Sequence, residues 1–155
     1  MNDVITVIQL KMEGGMIRFY VHDVFLDSIS CTIYIDIDKG LRDISVQSNK
    51  MYIYFSDIDR LSSYLKEMVL DKKEILEADT FVTQNLDFQF TILDGEILPS
   101  NNSHNSYCSI NFMINLGATC EEFSNSYVGL ESTVLISEIQ NFYDNFSNII
   151  HLKNL

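Results

Sequence analysis

The chain has 155 residues and a formal net charge of −12, with 46% hydrophobic and 21% charged residues. That is enough apolar material for one folded domain spanning residues 1–155, and it excludes a disordered acidic tail. Acids outnumber bases by 22 to 10, which disfavours nucleic acid and anionic membrane as partners.

The opening third alternates with the period of a strand. Val4 to Leu10 is a mostly apolar run, and Gly14-Gly15 is a natural turn after it. From Met16 to Leu26, Ile17, Phe19 and Val21 alternate with Arg18, Tyr20 and His22. From Ser30 to Asp38, Cys31, Ile33, Ile35 and Ile37 share one face and Thr32, Tyr34, Asp36 and Asp38 the other. One buried and one wet face is the pattern of an antiparallel sheet. Two further strands, Leu41 to Gln47 and Met51 to Phe55, are separated by an Asn49-Lys50 turn.

At Ser56 the period becomes helical. Ile58, Leu61, Leu65, Met68 and Val69 form one face, so the spacing predicts a helix over 56–71, with Ser56 and Asp59 as a capping box. Strands return at Thr80 to Gln84 and Leu86 to Leu93, and Asp94-Gly95 has the form of a hairpin turn leading back through Glu96. Pro99 to Ser106 is a polar loop. Tyr107 to Leu116 is a strand, and Ser124 to Ile136 holds one or two more. A second amphipathic helix over 138–150 follows, with Ser137 and Gln140 as its capping box and Ile139, Phe142, Phe146, Ile149 and Ile150 as its apolar face. Short turns between consecutive strands, with two helices, predict an α+β fold built on a largely antiparallel sheet.

Few residues invite chemistry. Asp36-x-Asp38-x-Gly40 opens like a calcium loop, but its sixth position is Leu41 and its twelfth Gln47, where Gly and Glu are needed. His22, His104 and His151 share no ligand spacing, and no nucleophile elbow accompanies them. Cys31, Cys108 and Cys120 are odd in number, form no CxxC pair and lie in or near apolar runs, which points to free thiols in a reducing, cytoplasmic setting. The N-terminus has no basic, apolar secretion signal, and no apolar run is long enough to span a bilayer. No catalytic residue, metal ligand or cofactor is expected.

Charge is the strongest signal. From Glu74 to Leu152 there is no Lys or Arg, while Glu74, Glu77, Asp79, Asp87, Asp94, Glu96, Glu121, Glu122, Glu131, Glu138 and Asp144 are all acidic. A one-signed half either attracts a basic partner or keeps the protein soluble.

Five segments carry a resemblance. They are the strand and turn Tyr34-Ile35-Asp36-Ile37-Asp38-Lys39-Gly40, the helix start Asp57-Ile58-Asp59-Arg60-Leu61, the strand Leu86 to Ile97 with its Asp94-Gly95, the strand Ser109 to Ile114, and the helix at Ile139-Gln140-Asn141-Phe142. In this order the chain resembles the WapI-type immunity proteins of bacterial polymorphic toxin systems over about three quarters of its length. The resemblance implies a non-enzymatic inhibitor that binds a cognate toxin domain, often a nuclease, whose basic surface would meet an acidic one. Asp87, Asp94, Glu96, Glu121, Glu122 and Glu131 are the expected partner-binding residues, with the loops Pro99 to Ser106 and Gly117 to Phe123 as contact regions. The alternatives are a small-molecule or carbohydrate-binding module with a pocket between sheet and helices, or a subunit of a complex.

Overall fold

A computed structural model describes residues 3–39, 42–72, 74–75, 77–98, 103–117 and 126–152. The fold is α+β, and the described residues form nine strands in two antiparallel sheets and two α-helices. The first sheet contains β1 (Thr6–Met12), β2 (Gly15–Val24), β3 (Ser28–Lys39), β4 (Arg42–Gln47) and β5 (Met51–Tyr54). β1, β2 and β3 follow one another, and the far edge of β3 is shared: β4 pairs with Tyr34–Lys39 and β5 with Ser28–Cys31. Between these partners Ser48 takes over the ladder. Its amide donates to the Ile33 carbonyl (2.8 Å) and its Oγ accepts the Ile33 amide (2.9 Å). The second sheet is a meander of β6 (Asp79–Val82), β7 (Phe88–Glu96), β8 (Tyr107–Asn115) and β9 (Tyr127–Leu135).

α1 (Phe55–Leu65) continues through a π-helical turn, Lys66–Leu70, so the predicted helix is present almost to its expected end. Its capping box is not. Tyr54 is the N-cap and no side chain caps the helix; Ser56 lies inside the first turn, where its Oγ accepts from Gln84 Nε2. α2 (Ile136–Leu152) likewise starts before Ser137, and Gln140 reaches forward to Asp144 (2.9 Å) rather than back to a cap.

The inner faces of both sheets and the apolar stripes of both helices enclose one core. Phe19 of β2 lies at its centre. Its ring meets Phe88 and Phe112 of the second sheet at 5.4 and 5.9 Å, and Phe142 and Phe146 of α2 at 5.8 and 5.0 Å. Three of these contacts are edge-on, the favoured geometry for aromatic quadrupoles. The sheets are also tied at their margins. The Glu13 and Gly14 amides of the β1–β2 turn donate to Thr133 O and Ser132 Oγ of β9 (2.9 and 2.8 Å). Asn49 Nδ2 of the β4–β5 turn donates to Leu116 O, just past β8 (3.2 Å).

The expected hairpin at Asp94-Gly95 does not exist, because β7 runs straight through it. A β-bulge lies there instead: Ile92 pairs with Ile110 and Asp94 with the next residue back, Ser109. The glycine serves close approach rather than a turn, since a Cβ on Gly95 would stand 2.7 Å from Tyr107 O and 2.8 Å from Cys108 Cβ. Tyr64 of α1 accommodates the irregularity. Its hydroxyl accepts the Ile92 amide (3.0 Å) and donates to Asp79 O (2.6 Å), and burial raises its pKa above the ordinary phenol value.

Two outcomes follow for stability. Phe19→Ala removes the ring common to both sheets and α2 and should lower the unfolding free energy by about 3–5 kcal/mol in urea titrations. Tyr64→Phe keeps the ring but leaves the Ile92 amide unpaired, a loss of about 1–3 kcal/mol by the same measurement.

Candidate functional site

Cross-strand register decides which of the acids meet. Thr91, Asn111 and Glu131 lie side by side on β7, β8 and β9, and so do Asp94, Ser109 and Thr133, and Glu96, Tyr107 and Leu135. Paired residues point to the same side of a sheet, so Asp94, Glu96 and Glu131 share its outer face. The bulge is what places two of them. In unbroken alternation Asp94 and Glu96 would follow Phe88, Phe90 and Ile92 into the core; the extra residue, Leu93, turns both outward. All three acids are exposed. Ideal strand spacings put the Cα atoms of Asp94 and Glu131 about 12 Å apart.

The sequences of β6 to β9 contain no Lys, Arg or His. Glu96 accepts a long hydrogen bond from Tyr107 Oη (3.4 Å), and Thr91 and Thr80 hydroxyls meet at 2.9 Å. The face is therefore acidic, hydroxyl-rich and open. It suits long-range attraction of a basic surface better than it suits catalysis. The first sheet differs: its outer face carries cations, among them Arg18, which pairs with Asp36 and donates to Tyr20 Oη (2.7 Å), and Lys11, which is exposed. Asp36 thus belongs to a surface ion pair, and it also accepts from Ser45 Oγ (2.7 Å).

Asp87 stands apart from the other three, in the β6–β7 turn. That turn is anchored beneath α1 by the buried Asp57, which accepts from Arg60 Nη1 (2.6 Å) and the Gln84 amide (3.1 and 3.3 Å). Arg60 also donates to Val82 O (3.2 Å). Asp87 is half-buried and lines a cleft of about 380 Å³ with Asn49, Lys50, Tyr52, Asn85 and Asn115. Its Oδ2 is enclosed and accepts no hydrogen bond among the described residues. Burial pushes its pKa up to about 6, with the Asp57 carboxylate adding repulsion. Lys50 does not neutralise it, because its Nζ lies 3.3 Å from Asp23.

Glu121 and Glu122 lie outside the described residues, as do most of the two loops expected to make contacts. Sequence reading missed the cleft. Its signal was the amide-rich composition of two turns and a strand end (Asn49-Lys50, Asn85 and Asn115), which only the fold brings together. Cys31 and Cys108 are buried free thiols whose pKa values burial raises, to about 12 for Cys108, so neither is a ready nucleophile. His22 Nε2 lies 3.0 Å from Thr32 Oγ1 on the outer face of the first sheet. Among the described residues no three His, Cys, Asp or Glu side chains converge as metal ligands, and no helix is long and apolar enough to cross a membrane. The space between sheets and helices is occupied by the Phe19 cluster.

No protein-family model matches this chain, and no similarity to a curated protein is found.

The Asp87 carboxylate has a consequence for pH dependence. Its proton is held more tightly in the folded than in the unfolded chain, so stability falls as pH rises from about 4 to about 6 and stays lowered above that. Asp87→Asn should therefore raise stability at about pH 7.5, on the order of 1 kcal/mol after allowance for solvent screening, and the gain should vanish near pH 4. Thermal unfolding of both proteins across that range checks this.

Proposed function

We propose that this chain is a non-enzymatic immunity protein that acts in the cytoplasm, binding and neutralising a cognate toxin domain with a basic surface. The observation that carries this reading is the outer face of the second sheet, where Asp94, Glu96 and Glu131 stand exposed on strands without a single base. An open face of one sign accelerates encounter with an oppositely charged surface and repels the nucleic acid that a nuclease toxin would otherwise hold. The resemblance of several sequence segments to the WapI-type immunity proteins is in keeping with the same reading, as are the free thiols of Cys31 and Cys108, which are buried.

A small-molecule or carbohydrate-binding module is the second reading, and the Asp87 cleft with its asparagine side chains is what favours it. Sugar ligands are held by such planar amides and carboxylates. The two readings differ in salt dependence, because binding to a neutral ligand is insensitive to ionic strength.

The triple variant Asp94→Lys, Glu96→Lys, Glu131→Lys tests the proposal. Its association rate with the cognate toxin domain should fall at least about tenfold at low salt and approach the wild-type rate near 0.5 M salt, about where screening is nearly complete. Unchanged association at low salt would contradict a role for this face.

A further inference from the structure

Three features that each oppose stability meet at one end of the molecule. Leu86 has φ of 58°, the only positive φ among the described non-glycine residues, and its side chain is exposed. A leucine in this conformation is disfavoured relative to glycine or asparagine. The turn holds it through the Leu86 amide on Thr83 O (3.0 Å) and the Asp87 amide on Thr83 Oγ1 (2.8 Å). Next to it is the Asp87 carboxylate, with one oxygen enclosed and without a hydrogen-bond partner among the described residues. Across the cleft Tyr52 of β5 is half exposed, with Phe25 against its ring at 6.0 Å, and Leu26 beyond them is 82% exposed. Strain, an unpaired anion and exposed apolar groups collect where a surface is shaped for binding rather than for stability.

The chemistry of the cleft narrows the occupant. The cation on the cleft wall, Lys50, is engaged by Asp23, the Asn49 amide nitrogen by Leu116 O, and Asn115 Oδ1 by the Gly117 amide, so Asp87 and Asn85 remain as acceptor-bearing side chains of the wall. Acceptors beside an aromatic ring suit a planar guanidinium, which donates several hydrogen bonds at once and stacks through its flat face. We propose that this end of the molecule docks a segment of the partner protein, with an arginine side chain in the Asp87 cleft and an apolar neighbour on Phe25 and Tyr52. That the occupant belongs to a basic protein rests on the function proposed above; that an arginine enters here rests on the cleft. Asp87 would then be a specificity residue, gaining a counter-charge on binding.

A peptide titration tests this without the toxin. Acetyl-Leu-Arg-Leu-amide is added to the ¹⁵N-labelled full chain, alongside the same peptide with citrulline, which keeps the shape and loses the charge. Saturable shifts are expected at the amides of Asn49, Asn85 and Gly117. Affinity should fall about tenfold with citrulline and with Asp87→Asn, the loss of one charge-assisted contact. The triple variant on the second sheet should bind the peptide like the wild type. Equal affinity for the two peptides, undiminished binding by Asp87→Asn, shifts confined to the second sheet, or no saturable shift would each overturn the arginine site. Those results would leave salt-dependent capture of a toxin by the second sheet standing. Peptide binding at the cleft with no effect of the triple variant on toxin association would instead remove the role of the second-sheet face proposed above and keep the site.

Discussion

The fold depends on one ring. Phe19 is the point at which the first sheet, the second sheet and α2 touch together, and its four aromatic neighbours come from β7, β8 and α2. Neither sheet could bury its apolar face alone. With the cluster in place, each sheet turns its other face to solvent, and α1 and α2 cover what remains of the core. The margin ties at Glu13, Gly14 and Asn49 then fix the edges of the sheets relative to each other. Both surfaces proposed to bind a partner lie on what this packing leaves outside: one open face and one end.

Those two surfaces differ in physical character. The outer face of the second sheet carries well-separated, exposed carboxylates, whose influence is a field reaching out from the surface and weakened by salt. The Asp87 cleft is local, partly desolvated and rich in acceptors, so its influence is short-ranged and geometric. A basic protein approaching this chain would be drawn first by the face and held by whatever fits the cleft. On-rate and selectivity are thereby assigned to different residues, a division common among charged interfaces.

Much of the fold was legible in the residues because burial obeys simple periods. The alternation of β2 and β3 and the helical spacing of 139, 142, 146 and 149 are dictated by one buried face each. The misreadings share a cause. Asp94-Gly95 has hairpin chemistry, but tertiary packing absorbed it as a bulge whose freed amide goes to Tyr64, more than twenty residues earlier. Ser56 and Ser137 have the spacing of capping boxes, yet each helix begins a residue earlier, where an apolar side chain is drawn toward the core. The shared face of Asp94, Glu96 and Glu131 was not visible either, since it depends on the parity change at Leu93. The cleft was hidden because its asparagines come from segments far apart in the chain.

Capture and silencing of a basic toxin domain is the role proposed for this protein. Its most direct test is to pass native extract over the immobilised full chain, elute with rising salt, identify what is released by mass spectrometry and assay its activity with and without the chain. The expected result is a single basic domain, released as salt rises, whose activity is blocked by a stoichiometric amount of this protein. A captured protein that remains fully active in its presence, or the absence of any salt-released basic domain, would contradict it.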